Sequence, residues 1–174
     1  MQIISHYLHP HPSIPVMPIP STPFAGILVI SPWLVFDGDA PSFLNNDRDG
    51  ISGETLLRWG ALMRGFRKLP RGIKDEPEVY WREPLRAPQE WWHGTDKVTE
   101  HIMFTYGESE GLRDDILSFV EKFTKSVSGN KVNISTAADP MGVHIAPILD
   151  AMVARAPTDV TQSMAEWITS RFII

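Results

Sequence analysis

The sequence predicts an α/β fold with a mostly parallel sheet and flanking helices. Segments with the composition of strands alternate along the chain with segments of helical periodicity, an order typical of layered α/β domains. The chain has 174 residues, 43% of them hydrophobic and 21% charged, which suits a globular unit with one hydrophobic core. We therefore expect a single unit over 1–174, and the sequence contains no internal repeat.

Three short segments have the pattern of strands. Residues 26–31 form a continuous apolar run between glycine and proline, typical of a strand that is buried on both faces. The second and third strands are predicted at 101–106 and 131–136. Three parallel strands make a thin sheet with edges that need cover, so we expect the chain to form only part of a larger sheet.

Four segments have helical patterns. In 112–127, leucine, isoleucine, valine and phenylalanine recur every three to four residues. The segment 52–63 begins with a serine, a residue type that caps helix N-termini. Two further helices, 146–156 and 158–172, are predicted on either side of Pro157.

The prolines indicate how the unit is divided. Eight of the 15 prolines fall between Pro10 and Pro41, so 9–23 is predicted to form neither a helix nor a central strand, and 64–88 is predicted to be irregular. The predicted parts are a Pro-rich connection (1–25), an irregular and helical insertion (37–95), and a half that contains the candidate acid and histidine (96–174). We interpret three tryptophans in the second half of the insertion as cover for apolar surface, with an aromatic pocket wall as the alternative: Trp81, Trp91 and Trp92.

Composition excludes several classes of function. The chain has no cysteine, which excludes disulfides, cysteine-ligated zinc, iron–sulfur clusters and a thiol nucleophile. Its 16 basic and 21 acidic residues give a net charge of −5, which offers no electrostatic reason to bind nucleic acid. We predict no membrane segment, no signal peptide and no nucleotide-binding glycine loop. The compartment stays open, with the cytoplasm as the default.

A cluster of carboxylates follows the second predicted strand. The segment 106–115 reads YGESEGLRDD, and in open α/β sheets ligands lie beyond the carboxyl ends of strands. Glu108 and Glu110 are candidate acids, with a solvated loop acid as the alternative. We interpret Asp114 and Asp115 as charges that favour the start of the next helix.

His144 is the candidate base. It follows Gly142 in a loop between the third strand and a helix, where an imidazole can serve as a general base, although an ordinary loop histidine is the alternative. No segment is predicted to form a nucleophile elbow, the strained strand-to-helix turn that carries the serine of many hydrolases. Ser5, Ser13 and Ser109 are not expected to replace it.

Three histidines near the N-terminus have a spacing that resembles a metal site. His6, His9 and His11 form an H-x-x-H-x-H pattern, and three imidazoles can bind zinc. The prolines between them fix the backbone, however, and no carboxylate is near in sequence. We therefore predict no metal site here.

Four of these segments together resemble a known family. They read SHYLHPHPSIP, GILVISPWLVF, YGESEGLRDDI and GVHIAPIL, and they occur in the family's order. The chain resembles the C-terminal half of the α/β-hydrolase fold-3 family, the hormone-sensitive-lipase-like esterases. It is most similar to the fungal and steryl-acetyl-hydrolase-like members, several of which are associated with secondary-metabolite gene clusters.

The resemblance implies a serine esterase mechanism for the parent protein. Glu110 matches the triad acid and His144 matches the triad base. The nucleophilic serine, the oxyanion hole and the first strands would lie before Met1, so we expect the chain alone to be inactive. The implied substrate is a small hydrophobic ester, and no cofactor is implied.

Two other functions are left open. The chain can be a non-catalytic half-domain that binds a small hydrophobic ligand or a partner chain supplying the missing strands. Alternatively, it can be a metal-dependent hydrolase that uses the N-terminal histidines. A cooperatively folded chain would favour the half-domain, and loss of activity with EDTA would favour the metal enzyme.

Overall fold

A three-stranded parallel sheet lies at the centre of the computed structural model, which describes residues 1–45, 47–65 and 75–172. The strands are β1 (Ile27–Ile30), β2 (His101–Gly107) and β3 (Asn133–Asp139), in the order β1-β2-β3. Both strand pairs are parallel, with Ile30 opposite Thr105 and Gly107 opposite Asp139. The predicted α/β class and all three predicted strands are therefore confirmed.

Helices flank the sheet. They are α1 (Gln2–Leu8), α2 (Pro41–Leu44), α3 (Gly53–Gly65), α4 (Asp75–Arg82), α5 (Arg113–Ser126), α6 (Ala146–Met152) and α7 (Asp159–Phe172). Three short 3-10 helices lie at Pro84–Arg86, Gln89–Trp92 and Thr95–Lys97. The four predicted helices correspond to α3, α5, α6 and α7, although α6 ends four residues earlier than predicted. Within the described ranges, none of these helices combines the length and the apolarity needed to cross a bilayer.

The N-terminal connection differs from its prediction. Residues 9–23 contain neither helix nor sheet strand, as predicted, but α1 occupies the start of the supposed Pro-rich connection 1–25. The first proline is at position 10, so nothing prevents a helix before it. Ile4 of α1 is fully buried in the hydrophobic core, which stabilises a helix this short.

The segment predicted to be irregular, 64–88, also contains helices. Its residues 66–74 lie outside the described part of the chain, and α4 follows them. Pro77 lies in the first turn of α4, where backbone N–H groups have no helical partner, so the proline costs the helix little. The division at 25, 37 and 95 stays a prediction.

The core is built around aromatic rings between α5 and the sheet. Phe119 and Phe123 of α5 stack with their ring centres 5.5 Å apart, and both rings contact Trp92 edge-on. Phe104 of β2 packs edge-on against the same two phenylalanines. All four side chains are fully buried. Trp92 therefore covers apolar surface as predicted and is part of the core itself.

The other two tryptophans hold the N-terminal segment in place. The Trp91 ring stacks on His9 at 3.7 Å, and its Nε1 donates a hydrogen bond to the Ser5 hydroxyl. The Trp81 Nε1 donates to the carbonyl of His9. These contacts connect α1 and the proline segment to the insertion.

A buried carboxylate joins the insertion to the segment that follows β1. Glu83 accepts hydrogen bonds from the Phe36 N–H and from the guanidinium groups of Arg64 and Arg86. Asp37 pairs with the same two arginines. Burial raises the pKa of Glu83, but these hydrogen bonds outweigh burial and leave the pKa below its usual value. The network fixes α3 and the segment before it over the sheet edge.

Two loops meet closely at the carboxyl edge of the sheet. The turn after β2 donates backbone hydrogen bonds from Glu108 to Asp139 and from Ser109 to Gly142. A Cβ on Gly107 would lie 2.1 Å from the Gly142 carbonyl oxygen, closer than non-bonded atoms can approach. Only glycine at position 107 permits this packing.

We expect the Gly107→Ala variant to be destabilised by about 3 kcal/mol, because one backbone must move away from the other. The measurement is urea denaturation followed by circular dichroism. Gly65→Ala is the matched control, since a Cβ there meets open space and should leave the stability unchanged or slightly raised. Equal stabilities of the two variants would contradict the close-packing argument.

Candidate active site

The candidate acid, Glu110, is buried where the strands end. Its side chain is 1% exposed, and Oε2 accepts hydrogen bonds from the Ser31 hydroxyl (2.7 Å) and the Gly107 N–H (3.0 Å). Ser31 follows β1 directly, and Gly107 is the last residue of β2. Glu110 is thus held in place by the ends of two neighbouring strands, and the alternative of a solvated loop acid is wrong.

Protonation of Glu110 is strongly perturbed. Burial raises the pKa of its carboxyl to about 7, against the hydrogen bonds from Gly107 and Ser31, and the nearby charge of Asp49 raises it further. The second oxygen, Oε1, is buried and has no hydrogen-bond partner among the described residues. The carboxyl therefore has a free acceptor position in a dry environment.

The candidate base, His144, lies on the neighbouring loop, between β3 and α6. Burial lowers the pKa of its imidazole, opposed by the charge of Asp49, so the fold favours the neutral ring, which is able to accept a proton. Its Nδ1 is buried and, like Glu110 Oε1, has no hydrogen-bond partner within the described ranges.

The structure brings Glu110 and His144 to the same edge of the sheet. The Ser31 hydroxyl donates to Glu110 and accepts a hydrogen bond from the N–H of Ile145, the residue after His144 (3.1 Å). The acid and the histidine loop are thus one side chain apart. A direct hydrogen bond between the two candidates is not formed, but one Nδ1–H to Oε1 bond would satisfy both unpaired atoms.

Asp49 is a residue of this site that the sequence did not single out. Its Oδ1 accepts from the His144 N–H and its Oδ2 from the Gly111 N–H, both at 2.9 Å. It lies among other aspartates and asparagines in a turn before α3, and nothing in that pattern distinguishes it. Ser31 was likewise hidden, although it belongs to the S-P-W triplet that carried the family resemblance.

The other carboxylates of the cluster have different roles. Glu108 is exposed, and its nearest ion-pair contact is with Arg113 at 3.8 Å. Asp114 accepts a hydrogen bond from the Ser42 N–H of α2 (2.8 Å), so it connects two helices as well as favouring the start of α5. Burial and the charges of neighbouring aspartates raise the pKa of Asp115 to about 6.

Ser109 does not lie on a nucleophile elbow. Residues 107–111 read G-E-S-E-G, which matches the G-x-S-x-G pattern letter by letter, so the pattern alone does not exclude an elbow. The non-glycine residues with positive φ in the described ranges are Ser31, Ile145 and Ala154, and Ser109 is not among them. Its turn presents Glu110 instead.

The three N-terminal histidines have separate partners. His6 Nε2 lies 3.1 Å from the Pro15 carbonyl, and His11 Nε2 lies 2.6 Å from Glu78 Oε2. His9 Nε2 lies 2.7 Å from the Trp91 carbonyl. Over the residues that the structure describes, no three histidine, aspartate or glutamate side chains converge to hold a metal ion.

An open, polar cavity of about 430 Å³ adjoins the acid turn. Glu110 and Ser109 line one side, and Ser42 and Arg48 from the segment after β1 line the other. The cavity lies where a substrate would reach the carboxyl edge of the sheet.

The fold and this edge define an α/β-hydrolase-type unit. Residues 22–165 match the family model of steryl acetyl hydrolases, and the chain belongs to that family. No curated protein is significantly similar in sequence to the chain.

Solved structures share the fold. A hormone-sensitive lipase from a metagenome library is 20% identical with a TM-score of 0.62, over 90% of this chain and 46% of that chain. An esterase from the bacterial hormone-sensitive lipase family is 19% identical with a TM-score of 0.56, over 82% and 41%. A thermostable esterase from Pseudomonas putida is 16% identical with a TM-score of 0.53, over 70% and 34%. The chain therefore spans less than half the length of these structures.

We expect Glu110 to make the protein less stable as the pH rises. Its pKa is about 7 when folded, against an ordinary 4.5, so between these values the folded state binds more protons and the free energy of unfolding falls with pH. Across this pH range, the free energy of unfolding of the Glu110→Gln variant should fall by up to about 3 kcal/mol less than that of the parent. Urea denaturation at several pH values measures the difference.

The control for this experiment is Asp115→Asn. The pKa of Asp115 is raised to about 6 from 3.8. Asp115 therefore also makes the free energy of unfolding fall as the pH rises, but this fall is complete at a lower pH than the one due to Glu110. Parallel stability curves for the parent and Glu110→Gln would contradict a raised pKa at Glu110.

Proposed function

We propose that the chain supplies the acid and the base of a serine-dependent carboxylic-ester hydrolase, with Glu110 as acid and His144 as base. The observation that carries the proposal is the pair of buried, unpartnered atoms at one sheet edge, Glu110 Oε1 and His144 Nδ1. Membership in the steryl acetyl hydrolase family supports esters of hydrophobic alcohols, acetyl esters above all, as substrates.

The chemistry follows from this pairing. The Glu110 carboxylate would accept the Nδ1–H of His144 and so fix the tautomer that leaves Nε2 free. Nε2 would take the proton of a serine hydroxyl as its oxygen attacks the ester carbonyl, and would then give that proton to the departing alcohol. Water repeats the sequence on the acyl-enzyme and releases the carboxylic acid. The buried site strengthens the interaction of Glu110 with the imidazolium that forms.

The nucleophile belongs, in this proposal, to a part of the protein outside these 174 residues. The chain covers 46% of the metagenomic lipase, so more than half of such a fold has no counterpart in it. β1 is an edge strand of the described sheet, and a further parallel strand at that edge would bring a serine elbow beside His144. A role in fungal secondary metabolism rests on the sequence resemblance alone.

A non-catalytic half-domain is the second candidate. The same unpaired edge of β1 favours it, since a separate partner chain can supply the missing strand as well as the protein's own chain can. Under this hypothesis the cavity beside Glu110 binds a small ligand without cleaving it.

The test begins with the 5′ end of the transcript and continues with the protein that the full transcript encodes. We expect an upstream serine elbow and hydrolysis of p-nitrophenyl acetate, with kcat reduced about 10⁶-fold in His144→Ala. The reaction is followed by absorbance of released p-nitrophenol. The 174-residue chain alone should show no hydrolysis above buffer.

Glu166→Ala is the control, because Glu166 is an exposed carboxylate on α7, away from the acid turn and the histidine loop. It should retain the parent's kcat. Full activity in the His144→Ala variant would show that His144 is not the base. Hydrolysis by the isolated chain, abolished by His144→Ala, would show that no nucleophile from outside the chain is needed.

A further inference from the structure

Two side chains each connect the acid turn to the histidine loop. The Ser31 hydroxyl bonds Glu110 on one side and the Ile145 N–H on the other. The Asp49 carboxylate bonds the Gly111 N–H on one side and the His144 N–H on the other. Each side chain therefore makes one hydrogen bond to Glu110 or its neighbour and another to His144 or its neighbour.

The two connections come from different parts of the chain. Ser31 is buried at the end of β1, whereas Asp49 is half-buried in the segment before α3. The bonds span 79 and 114 residues for Ser31, and 62 and 95 residues for Asp49. Neither connection is a local turn, so neither is explained by the folding of its own loop.

Backbone strain marks the same place. Ser31 has φ of 43° and Ile145 has φ of 51°, in the left-handed region that side chains other than glycine rarely adopt. These two strained residues are joined by the hydrogen bond from the Ile145 N–H to Ser31 Oγ. Strain of this kind persists only where surrounding contacts enforce it, and it is concentrated at functional sites.

The partner atoms leave little freedom to the loop. Asp49 is a charged acceptor, and hydrogen bonds to charged groups are the stronger ones. It fixes the backbone N–H of His144 itself, while Ser31 fixes the next N–H along the chain. With two successive N–H groups held, the Cα–Cβ bond of His144 has one direction relative to the Glu110 carboxylate.

We propose that Ser31 and Asp49 are positioning residues, which connect the acid turn to the histidine loop and keep the His144 imidazole within reach of Glu110. The inference rests on the proposed function, in which these two side chains act as acid and base. Neither Ser31 nor Asp49 takes part in proton transfer to the substrate.

The experiment uses the protein that the full transcript encodes, with Ser31→Ala and Asp49→Ala as variants. We expect kcat for p-nitrophenyl acetate to fall about 10- to 100-fold with KM within about twofold, because the imidazole is misplaced while the substrate cavity remains. Asp49→Asn keeps one acceptor oxygen and the side-chain volume, so its kcat should lie between those of the parent and Asp49→Ala. It replaces Asp49→Ala if that variant does not fold.

A spectroscopic readout separates positioning from general stability. With ¹⁵N-labelled histidine, and the His144 signals assigned from His144→Gln, the parent should show one tautomer protonated at Nδ1. Ser31→Ala and Asp49→Ala should shift His144 towards a mixture of tautomers. Ser135→Ala removes a buried hydroxyl without a hydrogen-bond partner among the described residues and is the matched control, together with Glu166→Ala.

The outcomes distinguish this inference from the proposed function. If Glu110→Gln changes the His144 signals but Ser31→Ala and Asp49→Ala match the controls, the positioning role is wrong and the acid–base pair stands. If Glu110→Gln leaves the His144 signals and kcat unchanged, the proposed function fails. A loss of kcat confined to the Ser31 and Asp49 variants, with His144 signals as in the controls, also overturns the positioning role.

Discussion

The constraint on which the site depends is the burial of the Glu110 carboxyl, which has no cationic partner among the residues that the structure describes. Removing a carboxylate from water is costly, and here one hydroxyl donor and one backbone N–H, both on Oε2, offset part of this cost. The other oxygen is left with no donor among the described residues. The turn after β2, the end of β1 and the histidine loop are all placed by the need to surround this one group.

The sequence predicted the parts of the fold that depend on local pattern. Apolar runs and helical spacing located the strands and α5, and the position of Glu110 and His144 after strands placed them at one edge. The sequence did not reveal Ser31 or Asp49, because their importance comes from bonds that span 62 to 114 residues. It also failed at α4, where proline suggested irregular structure but lies in the one turn of a helix that accepts it.

The insertion takes part in the site rather than merely covering it. Glu83, with Arg64 and Arg86, joins the last turn of α3 to the segment that follows β1. The segment just before α3 contributes Asp49, and α2 contributes Ser42, which bonds the start of α5. The ionic network and the acid–histidine edge are therefore connected through α3 and the segment before it.

The left-handed backbone at Ile145 has a consequence for how such a protein can change over generations. Glycine at this position would relieve the strain and would be favoured by any selection for stability alone. It would also loosen the N–H that Ser31 holds, and with it the direction of the neighbouring imidazole. Under the proposed function, glycine at position 145 would therefore gain stability at the expense of the loop's geometry, and isoleucine keeps that geometry.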